Sequence, residues 1–239
     1  MKKEKKIKIF LGTTYLVIIA TFLWVFFSNF SLDEVSNYNF IKNNNNYFNN
    51  IKNENFFLVS LLFIFIVIIW VFLLGFGSPA MILAGFVFGK WFGSIYALIA
   101  LTIGATLLYI FAKYFLKDLI FEKFYKRFSY FHKKFKNNEF NFFLIYRFVS
   151  AIPFSISNIV PTIFNVKVKT FFFGTIIGLY PQTFIWASLG SGLDKIIDKN
   201  LEPPSITEIL FSKEIYFPII GFIILVILGI IINKKYYNN

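Results

Sequence analysis

The chain has 239 residues, 57% of them hydrophobic, with 36 phenylalanines, a net charge of +12 and no cysteine. A soluble domain of this size cannot hide so much apolar surface, and without cysteine there can be no disulfide, thiolate metal site or cysteine nucleophile. On so apolar a chain the basic excess fits cytoplasmic sorting of Lys/Arg loops and attraction to anionic headgroups, so nucleic acid is not an expected partner.

Uncharged apolar runs of about 20 residues read as transmembrane helices. The first, Ile7–Phe27, has no charge after Lys8 and follows a basic start. It is longer than a signal-peptide core and lacks a small-x-small cleavage site, which makes it a retained anchor. Further runs cover Phe56–Phe76, Trp91–Ala112, Phe171–Leu189 and Phe217–Ile232. The pattern is that of a polytopic integral membrane protein, all-α, with no soluble domain.

Loop charges orient these runs. Residues 1–8 carry five Lys against Glu4, and 116–140 carry seven Lys/Arg against three acids. Residues 28–55, with ten Asn between Asn37 and Asn55, carry two Lys against three acids, and 190–216 carry three Lys against five. Lys and Arg collect in the cytoplasm, so the simplest path has four crossings with both termini cytoplasmic. The chain holds more apolar material than that path uses. Phe56–Phe92 is apolar for almost all of its 37 residues, and Phe140–Val166 is a second surplus stretch. The conflict disappears if each enters the membrane, turns and leaves on the same side. The sequence GFGSPA at Gly75–Ala80, and the stretch Ser150–Pro153, supply the helix breakers. Such broken elements persist only when packed in protein or lining a wet cavity. The expectation is two opposed re-entrant helical hairpins in an inverted repeat, each followed by a crossing, with the site where they meet.

Residues 117–137 interleave aromatic and aliphatic positions with lysines at helical spacing, predicting an amphipathic helix on the cytoplasmic leaflet. Arg147 is the sharpest feature of the whole chain. It lies in an apolar stretch, and none of the 12 acidic residues falls in such a stretch. An intramembrane arginine needs a partner, and a lipid phosphate suits its planar fork. Snorkelling to the cytoplasmic edge is the alternative. Pro153, Pro161 and Asn158 shape the second break, with Pro153 and Asn158 also candidates to touch substrate, as is Pro79 in the first. Gly85, Gly89 and Gly93 recur every four residues, the small-xxx-small pattern of close helix packing. Gly178 and Pro181 mark an expected bend. His132 is the single histidine and lies on the surface segment. Clustered metal ligands and tunable acid–base groups are missing from the apolar stretches, so neither an enzyme nor a bound metal or cofactor is expected.

Two stretches carry a family likeness. The first, PAMILAGFVFGKWFGSIYALIALTIGATLLYIFAKYF, holds Pro79, Gly85, Gly89, Gly93, Gly104 and Lys113. The second, YRFVSAIPFSISNIVPTIFNVKVKTFFFGTIIGLYPQTFIWASLGSGL, holds Arg147, Pro153, Phe154, Asn158, Phe171, Gly178, Pro181 and Gly190. In their order and spacing these resemble the VTT-domain branch of the DedA superfamily, the SNARE-associated membrane proteins. Lys113 stands where that family usually has arginine, Thr162 where glycine is common, and Gln182 where a small residue is more usual. The acidic residues that some members carry in the first hairpin have no counterpart here. The resemblance implies lipid translocation, by flipping or scrambling of a phospholipid or polyprenyl-phosphate headgroup. A non-transporting factor for envelope assembly, homeostasis or protein sorting is the alternative. Residues 1–55 then form an anchor and external loop, 56–192 the core, and 193–239 an external loop and last helix. The expected setting is the inner cell membrane, the expected partners are membrane lipids with anionic headgroups, and a homo-oligomer is compatible with this reading.

Overall fold

The computed structural model describes residues 3–29, 55–115, 138–149 and 152–198, with Tyr216, Ile220, Ile223 and Ile224 as single positions. The amphipathic segment 117–137, nearly all of the Asn-rich loop and nearly all of Phe217–Ile232 fall outside the described residues. Every described element is helical: α1 (Lys3–Asn29), α2 (Phe56–Phe72), α3 (Gly77–Phe115), α4 (Glu139–Val149), α5 (Phe154–Ile159), a 3-10 turn (Val160–Thr162) and α6 (Val168–Asp198). Among the described residues one helix, α3, is both long and apolar enough to cross a membrane.

The backbone of α3 is broken at Gly89, which has φ 73° and ψ 172°. Only glycine enters that region cheaply. The helix therefore folds back on itself, and a side chain at Gly93 would collide with the carbonyl of Ala84 across the turn. The four-residue spacing of Gly85, Gly89 and Gly93 thus hides two different jobs. Gly85 and Gly93 give close packing, as the spacing predicts, whereas Gly89 has open space where a side chain would go and provides the reversal.

Helix α2 and the first arm of α3, residues 77–88, form a helical hairpin. The rings of Phe56 and Phe63 lie 5.8 and 5.3 Å from that of Phe88. Helix α2 ends in a Schellman cap: Gly75 N–H donates to Trp70 O (2.8 Å) and Leu74 N–H to Val71 O (3.1 Å). Leu74 occupies the left-handed position at φ 66°, where a glycine is usual and a leucine costs about 1 kcal/mol. The indole of Trp70 closes the cap by donating to Phe76 O at 2.8 Å. Sequence places Pro79 at the break itself, but the helix restarts at Gly77, so Pro79 sits in its first turn, where its missing N–H leaves no bond unmade.

The long arm of α3, residues 90–115, is the central post. Ala100, Leu101 and Thr102 are consecutive and all buried, which requires cover on every side. Helix α2 runs alongside, close enough that a side chain at Gly104 would strike Val71. On another side α6 runs antiparallel, with Tyr109 stacked on Phe171 at 4.3 Å and Trp91 near Phe184 at 5.0 Å. Helix α6 contains Pro181, the position of the expected bend. Its tightest crossing is with the first arm of α3. Side chains at Gly85 and Gly190 would run into the backbone of Ala187 and Ile82 respectively. Phe57, Phe65, Ile66, Trp91 and Phe173 point outward and are exposed, an apolar exterior suited to lipid.

Candidate functional site

Helix α4 presents one buried stripe, Phe143 and Arg147, spaced four apart. Gly174 and Gly178 on α6 receive that stripe. A side chain at Gly174 would meet the Phe143 ring, and one at Gly178 would meet Arg147 Cβ. Gly178 is therefore what lets the arginine lie flat on α6, a closer role than the bend its sequence context suggests.

Arg147 is 3% exposed. Its Nε donates to Thr175 Oγ1 at 3.1 Å, and one terminal nitrogen donates to Ser157 Oγ at 3.1 Å. The other donates to Asn158 Oδ1 at 2.9 Å. The guanidinium carbon lies 4.7 Å from the Phe171 ring centre and 5.2 Å from that of Phe143. These partners are neutral oxygens and aromatic faces, so they orient the cation without cancelling its charge. The arginine does not snorkel; it is built into the protein.

Helix α5 supplies two of the three acceptors. It starts after Pro153, at φ −48° and ψ 136°, and runs into the 3-10 turn that contains Pro161. With α4 it makes a second helical hairpin, closed by the Tyr146 hydroxyl donating to Ser157 O at 2.9 Å. Asn158 is fully buried, and its Nδ2 has no hydrogen-bond partner, nor has Thr162 Oγ1 one turn on. At the far end of this hairpin Val166 O accepts from the Tyr109 hydroxyl and from Lys113 Nζ (2.8 Å), while Glu139 Oε1 accepts from Lys167 N–H at 2.9 Å.

A cavity of about 550 Å³ opens beside Arg147. The first hairpin contributes Phe76, Gly77 and Ser78, and the second contributes Tyr146, Arg147, Pro153, Phe154 and Ser157. Helix α6 completes the wall with Leu179, Gln182 and Trp186. Of the four candidate contact residues, Arg147 and Pro153 line this cavity. Asn158 lies behind Arg147 as its acceptor, and Pro79 is exposed, one residue beyond the lining Ser78. The described lining contains one formal charge, on Arg147, and no Asp or Glu. Among the described residues no three His, Asp or Glu side chains gather closely enough to hold a metal ion. Ser78, Tyr146, Ser157 and Gln182 are polar lining groups that the sequence pattern alone does not single out as contacts.

The same stretch of chain carries a recognisable signature. Residues 75–192 match the VTT domain. The chain is a VTT-domain protein. The match starts at the tip of the first hairpin and takes in α3, the second hairpin, most of α6 and the cavity lining, and it agrees with the DedA-type pattern of prolines, glycines and Arg147. Among curated proteins the chain is similar to a transmembrane protein 41 homolog of Caenorhabditis elegans, 24% identical over 177 residues, which cover 71% of this chain and 69% of that protein. A transmembrane protein 41 homolog of Dictyostelium discoideum is 27% identical over 190 residues, 76% of this chain and 53% of that protein. The chain thus spans about half the length of the Dictyostelium relative. No solved structure matches the chain. Together with its apolar runs, the VTT domain identifies a membrane protein.

Proposed function

We propose that this VTT-domain protein moves lipids between membrane leaflets and that the cavity beside Arg147 receives the anionic phosphate of the headgroup. The observation that carries the proposal is a buried guanidinium in a cavity wall whose described residues include no carboxylate. The acceptors Thr175, Ser157 and Asn158 are neutral, so they orient this cation without cancelling its attraction for an incoming anion. The opposite wall is the first turn of α3 at Gly77 and Ser78, where unpaired backbone N–H groups add partial positive charge. Apolar and aromatic groups around this polar spot, among them Phe76, Met81, Phe154 and Trp186, suit the glycerol and upper acyl region of a lipid. The chemistry is binding and release with no covalent step, and the partners are the lipids themselves.

In the same reading the α2–α3 and α4–α5 hairpins are re-entrant, dipping into the bilayer from opposite faces and meeting at the cavity. Their broken backbones lie against protein and a polar pocket, the only surroundings in which lipid tolerates them. The loop charges then leave 116–140 in the cytoplasm and 28–55 and 190–216 outside, with four crossings in the inner membrane. Single cysteines at Asn45, Lys133 and Lys199 test this in a chain that has none of its own. An impermeant thiol reagent on intact cells labels the first and third; labelling of Lys133→Cys overturns the arrangement.

Transport is tested with purified protein in liposomes carrying a fluorescent phospholipid, by measuring how fast the label is exchanged between leaflets. Arg147→Ala loses at least tenfold in rate while the protein still inserts. Arg147→Lys recovers part of it, because an ammonium keeps the charge but not the planar fork. Equal rates for wild type and Arg147→Ala sink the proposal.

A further inference from the structure

The second hairpin meets the first at α5, where Phe154 packs against Gly77 and the Ser155 hydroxyl reaches across. Ser155 Oγ, on the turn of α5 next to the Arg147 acceptors, donates across to Leu74 O at 2.6 Å and lies 3.2 Å from Gly75 O. These carbonyls belong to the tip of the first hairpin, where Leu74 holds the left-handed conformation. Phe76 and Gly77, next along that tip, line the cavity, as do Pro153 and Phe154 beside Ser155. The Ser155 hydroxyl therefore helps to tie together the two walls between which a headgroup must pass.

Helix α5 has six residues and stands between two prolines, Pro153 and Pro161. Phe154 packs it against Gly77, and its polar ties are Ser155 to the first hairpin, Ser157 and Asn158 to Arg147, and the Ser157 carbonyl to Tyr146. Two buried polar atoms on the same side, Asn158 Nδ2 and Thr162 Oγ1, lack a partner. Such atoms are costly in a settled core.

Resting on the lipid-transport reading, we propose that α5 is the gate of the cavity, with Ser155 as its clasp and the bound anion as its release. Ser155 acts as a positioning residue: it holds the walls together and touches no substrate. The guanidinium N–H groups that α5 uses are the groups a phosphate needs. A charged oxygen forms a shorter and stronger bond to guanidinium than Ser157 Oγ or the Asn158 carbonyl does. An arriving phosphate therefore takes Arg147 away from Ser157 and Asn158. That leaves the Ser155 hydroxyl as the polar tie between α5 and the first hairpin, a neutral bond to a tip already strained at Leu74. The clasp opens when the anion is present and closes again when it leaves, so the hairpin tips are joined while the cavity is empty.

The test uses Leu74→Cys/Ser155→Cys in the full chain, joined by a short reversible bifunctional thiol reagent. Because one preparation is measured linked and then reduced, misfolding cannot mimic the result. Linking reduces lipid exchange in liposomes at least tenfold, and reduction restores it. Equal rates in the linked and reduced states overturn the gate. The linking rate itself reads how often the tips meet: short-chain phosphatidic acid slows it several-fold, whereas the matching diacylglycerol, which has no phosphate, does not. Equal slowing by both overturns the release by phosphate. Ser155→Ala raises exchange several-fold with no change in protein yield, and Ser155→Thr, which keeps the hydroxyl, restores the wild-type rate. A purely structural serine would lower yield and activity together, which also overturns the proposal. If the wild-type protein exchanges no lipid, the transport reading fails on its own, and the phosphate dependence of linking still decides the clasp.

Discussion

The two helical hairpins have similar outlines and opposite chemistry. The first, α2 with the start of α3, is held by backbone approach: a Schellman cap, the Trp70 indole on Phe76 O, the turn at Gly89, and glycines that let backbone meet backbone at Ala84 and Ala187. The second, α4 with α5, is held by side chains, and most of its ties converge on Arg147. Glycine contacts are rigid, because no rotamer change relieves them. Side-chain hydrogen bonds can be exchanged for bonds of equal kind. The first hairpin is accordingly a wall and the second a working part, and two perturbations separate them.

The largest effect belongs to the wall. At Gly190 a methyl group would run into the carbonyl of Ile82, and at Gly85 into that of Ala187. Both obstacles are backbone, so α6 and the first arm of α3 must move apart to admit it. Overpacking of this kind costs about 1–3 kcal/mol, and a backbone clash lies at the upper end or beyond. Gly190→Ala and Gly85→Ala should each lower the melting temperature in detergent markedly and cut the yield of monodisperse protein. Transport per folded molecule falls with them, with no selective loss of lipid exchange. A Gly190→Ala protein as stable as the wild type would mean that the crossing is looser than its geometry.

How much of this difference can be read from residues alone varies with its cause. The scarcity of charge around residue 147 makes Arg147 visible at once, since an arginine in an apolar stretch violates the local pattern. The helical character and the break near Gly75 follow from hydrophobic run lengths and from glycine and proline placement. Thr175 and Ser157 are not visible as partners of Arg147, because they lie 28 and 10 residues away and hydroxyls are frequent in apolar helices. Gly89 is hidden for a different reason. A turn glycine and a packing glycine look identical at a spacing of four, and only φ separates them. Ser155 carries no signal either, because its function depends on which loop lies opposite. Pro79 shows the limit of breaker rules. A proline marks a helix boundary within a turn, and it sits as comfortably just after the boundary as on it.

The smaller and more selective effect belongs to the working part, and Asn158→Asp isolates it. The change is nearly isosteric. It keeps the oxygen that accepts from Arg147 at 2.9 Å and replaces the partnerless Nδ2 by a second oxygen. An unsatisfied buried donor is removed, and a carboxylate is placed against a guanidinium whose described partners are neutral. Pairing a charge that is already buried compensates it without burying another cation, so stability should hold or rise by about 1 kcal/mol, read as an unchanged or higher melting temperature. The same carboxylate occupies the fork that a headgroup phosphate needs and cancels the field in the cavity. Lipid exchange in liposomes should therefore fall about tenfold in a protein at least as stable as the wild type. That combination, activity lost with stability kept, is the reverse of a damaged scaffold and the opposite of what Gly190→Ala should give. An Asn158→Asp protein that melts lower yet exchanges lipid normally would show that Arg147 serves packing, and that the second hairpin is as much a wall as the first.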